Sequence, residues 1–236
     1  MKNKIIYSAI TFVLVFLITL WLTLPYSKIV AGALKNAERQ AKIDIRYSEQ
    51  KSGPLSTTFS DVAVNEIPVG DVKISYSPFR LITGSVGYKT AGAVNLKGKL
   101  SSGRVTAKGT VSSGLINNLT DKVSFNGDVL LDMDASLKDG TMSMEASADK
   151  ASIDTPMGPM AFEKITAAAQ KEKNKITLTK LASEDSMKLD LKGEIRVNNR
   201  TPEKSVVSIT GTFDLMGQTK KLVLQGRADN ITPSIR

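Results

Sequence analysis

The chain has 236 residues, carries 32 Lys and Arg against 23 Asp and Glu for a formal charge of +9, and contains neither Cys nor His. Those two absences exclude disulfides, thiolate nucleophiles, Cys/His zinc sites and every triad built on imidazole. An aromatic share of 6% leaves Leu, Ile, Val, Met and Ala to build the core, which predicts a thin or elongated one.

From Ile5 to Leu24 the chain reads IIYSAITFVLVFLITLWLTL, without a charge. In helical form this run matches the hydrocarbon thickness of a bilayer, so a transmembrane anchor is expected. Tyr7 lies near one end and Trp21 and Tyr26 near the other, where amphipathic rings favour the membrane interface, and Pro25 comes as the run ends. Lys2 and Lys4 precede the span and favour a cytoplasmic N-terminus with the bulk translocated; Lys28, Lys35 and Arg39 pull the other way, but long domains cross largely regardless of charge. A cleaved signal peptide would use the small residues Ala31-Gly32-Ala33, yet the apolar run is longer than an h-region needs. With Lys2 and Lys4 inside, 30 basic residues face 23 acidic ones beyond the membrane, still +7.

After Pro25 the segment SKIVAGALKNAERQAKI places Val30, Ala33, Leu34, Ala37 and Ala41 at three- and four-residue steps. This spacing predicts a short amphipathic helix with Ser27 as its cap, acting as a stalk or a cover over the β domain, or simply continuing the anchor.

Beyond Ile43 the pattern changes to strand alternation, punctuated by Ser52-Gly53-Pro54, Ser101-Ser102-Gly103, Asp139-Gly140 and Asn198-Asn199. Val129, Leu131, Met133, Ala135 and Leu137 alternate with more polar neighbours, and Asp139-Gly140 then turns the chain into Met142, Met144, Ala146 and Ala148, a hairpin. A second hairpin joins Ile165, Ala167 and Ala169 to Ile176 and Leu178 through the charged turn KEKNK, residues 171–175. Further runs hold Met187, Leu189, Leu191, Ile195 and Val197, then Val207, Ile209, Phe213 and Leu215. Asp132 and Asp134 share one strand face and read as solvated residues rather than an acid/base pair. Asn-x-Thr sequons at Asn118, Asn199 and Asn230 are no more than turn composition would give.

A motif of apolar, any, Gly, any, apolar recurs around Gly98, Gly109, Gly127, Gly193, Gly211 and Gly226. With a period of two, each glycine faces the same side as its apolar neighbours and removes bulk there, which lets a sheet bend. Two architectures follow: a long curved antiparallel sheet whose apolar inner face is a taco-like groove able to carry an acyl chain, or a closed two-layer sandwich in which the glycines relieve crowding. The lysines are scattered, without the dense block or interleaved aromatics of a nucleic-acid surface, so no nucleic-acid partner is expected. No catalytic, metal or cofactor-binding constellation is present in the sequence, and a non-enzymatic role is expected.

The order of features, an anchor ending LTLPYSKI, an amphipathic helix, IDIRYSEQKSGPLSTTFSDVAV, VGDVKISYSPFRLITGSVGYKTAGAV and Gly-punctuated strands, resembles the type II secretion system protein N family. More broadly it resembles AsmA-like envelope proteins. The resemblance implies a bacterial inner-membrane protein with one N-in helix and a periplasmic β domain, divided as 1–27 cytoplasmic tip and anchor, 28–42 helix and 43–236 β domain. It implies partnership with other secretion subunits in the first family and lipid traffic in the second.

Overall fold

The computed structural model describes residues 15, 16, 19, 21–41, 43–77, 84–101, 103–118, 124–155, 158–184, 187–198, 201, 204–215, 217–228 and 230–235. The expected span Ile5 to Leu24 lies mostly outside them; Val15, Phe16, Thr19 and residues 21–23 are helical. Among the described residues no helix is long and apolar enough to cross a membrane.

Pro25 separates this segment from helix α1 (Tyr26–Ala41). The expected cap, Ser27, lies inside the first turn instead. Pro25 takes the capping position, its carbonyl accepting from the amides of Lys28 at 3.0 Å and Ile29 at 3.2 Å. The Ser27 carbonyl accepts from Gln50 Nε2 at 3.1 Å, which ties the helix to the β region.

Strands then dominate. The first are β1 (Ile45–Arg46), β2 (Glu49–Ser52), β3 (Ser56–Val64), β4 (Ile67–Ser75), β5 (Ser85–Ala91), β6 (Val94–Ser101) and β7 (Arg104–Val111). A short helix α2 (Ser113–Asn118) precedes β8 (Ser124–Asn126), β9 (Val129–Ser136), β10 (Thr141–Thr155) and β11 (Gly158–Glu172). The chain continues through β12 (Lys175–Glu184), β13 (Met187–Arg196), β14 (Val206–Leu215), β15 (Gln218–Arg227) and β16 (Asn230–Ile235).

All of these strands join one open antiparallel sheet in near-sequential order, with β1 and β2 in line along β3, and β8 in line with β9 along β10. A two-layer sandwich therefore does not form. Strands joined by short turns pair with their chain neighbours, and nothing breaks the ladder into a second sheet. The surface area agrees: the chain exposes 16033 Å², against about 10,000 Å² for a compact monomer of this size.

The Asp139-Gly140 hairpin forms between β9 and β10, with Met133 opposite Met144. The KEKNK turn is tighter than its charge suggests, because Lys171, Glu172 and Lys175 are strand residues and only residues 173–174 form the loop, with Lys173 at φ 52°. Among the described residues, most of the buried apolar side chains fall into small clusters. Phe59, Val62, Val94 and Ala107 belong to β3–β7, and Leu115 buries α2 near β8 and β4. Ala148, Ala151 and Phe162 form a second group on β10 and β11, and Leu191 and Val207 are buried on β13 and β14.

A candidate binding face

Cross-strand register converts the alternating pattern into continuous rows. One row runs from Leu96 through Gly109 and Leu131 to Ala146 and Ala167. It goes on through Leu181, Leu191, Gly211 and Leu222 to Ile235 on the last strand. Two residues along each strand, a second row passes from Ile74 and Tyr88 through Gly98 and Ala107 to Met133 and Met144. It continues through Ala169, Leu178, Gly193 and Ile209 to Leu224 and Pro233. Beyond Tyr88, neither row contains a polar side chain, and most of their members are only half-buried. Bulges at residues 179–180, where β12 carries extra residues against its neighbours, leave both rows in step.

Five of the glycines singled out from sequence fall on these rows or beside them, each opposite a larger residue. Gly98 faces Tyr88, Gly109 faces Leu96 and Leu131, Gly193 faces Leu178 and Ile209, Gly211 faces Leu191 and Leu222, and Gly226 faces Val207 and Ile231. Bulk reduction is only part of their role. A Cβ on Gly98 would fall 1.9 Å from the Thr106 carbonyl oxygen, and one on Gly109 would fall 2.0 Å from that of Asn95. Gly109 also has φ +154°, a conformation that L side chains rarely adopt. Gly127 differs from the others. It lies in the break between β8 and β9, at φ +127°, with an added Cβ 3.3 Å from Ala151 Cα. Its motif spans two strands that pair with different parts of β10, Phe125 with Ile153 and Val129 with Ala148.

One end of the face is roofed by α1. Trp21, Tyr26, Val30 and Leu34 from the helical side, and Ile74, Tyr76, Val86 and Leu100 from the sheet side, line a half-open, almost wholly apolar chamber of about 440 Å³. The Tyr26 ring meets Trp21 edge-on at 5.6 Å and stacks on Tyr76 at 5.9 Å, and the Tyr26 hydroxyl donates to the Trp21 carbonyl. The Tyr76 hydroxyl donates to the Gly53 carbonyl at 2.6 Å and lies 3.0 Å from Thr57 Oγ1, which is fully buried. Thr57 Oγ1 in turn lies 3.1 Å from Ser52 Oγ. Among the described residues the buried Trp21 indole Nε1 has no hydrogen-bond partner. Sequence periodicity had marked Val30, Ala33 and Leu34, but not the pairing of Tyr26 with Tyr76, which are 50 positions apart in the chain. The alternation that puts Tyr76 on the same face as Ile74 was the available signal.

The opposite face is polar. Asp132 accepts from Lys108 Nζ at 2.8 Å, and Asp134 accepts from Arg104 Nε at 2.7 Å, so both aspartates are held in cross-strand ion pairs rather than as an acid/base couple. The Arg104 hydrogen bonds hold the Asp134 carboxyl below the usual carboxylate range. Burial pushes the Tyr88 hydroxyl up while it donates to the Thr106 carbonyl at 2.9 Å, its ring lying across Gly98. Among the described residues no group of His, Cys, Asp or Glu could hold a metal ion. No family model matches the chain, and no curated protein and no solved structure matches it.

Proposed function

We propose that this chain is a non-enzymatic, membrane-anchored envelope protein whose apolar sheet face binds lipid acyl chains. The observation that supports this most is the pair of uninterrupted apolar rows from β6 to β16 on a face left half-exposed. A soluble domain rarely leaves so continuous an apolar strip in water, and such strips mark binding surfaces. The α1-roofed chamber gives the strip an end beside the N-terminal apolar run, whose Val15, Phe16 and Leu22 are 56–59% exposed. A chain leaving the bilayer at Leu24 would meet the chamber first.

The test is extraction and native mass spectrometry of the full chain purified in a mild detergent. Co-purified lipid, retained through detergent exchange, is expected; a lipid-free protein with the same fold would contradict the reading.

The resemblance to the type II secretion system protein N family supports a second reading, an inner-membrane accessory or assembly subunit with its β domain in the periplasm. The order of anchor, helix and open sheet favours it, with the same apolar face meeting a protein. Co-purification with secretion-platform subunits is its expected outcome, and a pulldown lacking them would count against it.

A further inference from the structure

The polar face carries an arrangement that its own stability does not favour. Lys73, Lys89, Lys97 and Lys108 stand directly opposite one another on β4, β5, β6 and β7. Like charges paired across strands repel and destabilise a sheet. Elsewhere the same sheet matches opposite charges, as in Lys108 with Asp132, Arg104 with Asp134 and Lys175 with Glu194. Among the described residues no ion pair joins Lys73, Lys89, Lys97 or Lys99 to a carboxylate. The nearest acid along β4, Asp71, is engaged by the Asp61 amide at 3.1 Å.

These exposed lysines surround a shallow hollow of about 430 Å³ with Ser75 and Gly87. Its position is specific. Lys73 and Lys99 neighbour Ile74 and Leu100, which line the chamber beneath Trp21 on the other side of the sheet. The lysine hollow and the chamber therefore occupy opposite faces of the same stretch of β4–β6, at the end of the sheet where the N-terminal apolar run enters.

We infer that the unpaired lysines of β4–β6 form a docking surface for the acidic headgroups of the membrane from which the chain emerges. Within about 10 Å of an anionic bilayer each ammonium is attracted to its surface potential, and a row at the spacing of adjacent strands presents several phosphate-binding charges at once. Docking would set the orientation of the sheet relative to the bilayer. It rests on the N-terminal run lying in a membrane, and not on acyl chains occupying the opposite face.

The test uses the full chain in nanodiscs of phosphatidylcholine alone or with one-third phosphatidylglycerol, with lysine acylation rates read residue by residue by mass spectrometry. Lys73, Lys89, Lys97 and Lys99 are expected to react about fivefold more slowly in the acidic discs and to recover in high salt, while Lys220 and Lys221 on β15 do not change. Equal rates in both lipids would overturn the inference and point to an acidic protein instead. Inorganic phosphate added to neutral discs is expected to give no protection; protection equal to that of acidic lipid would overturn the membrane assignment. The K89E variant, which places a carboxylate between Lys73 and Lys97, is expected to melt about 2–4 °C higher and to lose the lipid-dependent protection. A lower melting point, or protection retained, would contradict it.

Discussion

Gly211 on β14 stands directly opposite Leu191 on β13, so close that a Cβ added to the glycine would lie 2.7 Å from Leu191 Cα and 1.9 Å from the Asp190 carbonyl oxygen. Both contacts are with backbone, which cannot turn aside as a flexible side chain can. Gly211→Ala is therefore expected to force the strands apart and destabilise the sheet by about 1–3 kcal/mol. Gly114→Ala, where nothing lies within 4 Å of the added carbon, is the control. Chemical denaturation of both variants checks this, with the loss expected for Gly211 alone.

Tyr76 links the roof to the sheet through two separable contacts. Tyr76→Phe keeps the ring stack on Tyr26 but removes the hydrogen bond to Gly53 and the contact with buried Thr57. A part-buried acceptor left without its donor costs about 1 kcal/mol. The variant is expected to melt several degrees lower and to exchange α1 amide hydrogens faster, as read by hydrogen–deuterium exchange.

The Arg104–Asp134 pair gives a pH dependence with a definite sign. Asp134 has its folded pKa depressed by the Arg104 hydrogen bonds. The stability it contributes is present above the unfolded carboxylate pKa of about 3.9 and is lost as pH falls through the lower folded value. Asp134→Asn removes that linkage. The melting temperatures of parent and variant are expected to differ at neutral pH and to converge as the solution is acidified below pH 4.

Much of the β architecture was legible in the sequence because one face of each strand is apolar and turns are marked by Gly, Asn and Asp. Asp139-Gly140 and the runs through Leu191 and Ile209 behaved as alternation predicts. What was missed depended on contacts distant in the chain. Helix α2 arises in a turn-like Ser-Ser-Gly context, secured by burial of Leu115 and by Asn117, which accepts from the Phe125 amide at 2.7 Å and donates to its carbonyl at 2.9 Å. The break at Gly127 is invisible to a motif that reads straight across it. Whether the strands would join one sheet or two depended on register, and a repeating pattern of two does not determine which strands are neighbours.

The glycines show the same division. Their shared face followed from spacing, but their contact with neighbouring backbone, 2.2 Å from a Gly193 Cβ to the Ser208 carbonyl oxygen, belongs to the assembled sheet.

In the proposed reading acyl chains lie along the apolar rows. Its most direct test is photocrosslinking of the full chain, in nanodiscs, to a phospholipid with a diazirine in its acyl tail, followed by peptide mapping. Adducts are predicted at Leu100 and Val86 in the chamber and at Met133, Met144 and Leu178 along the rows. Adducts confined to residues 15–24, with none on the apolar face, would contradict it.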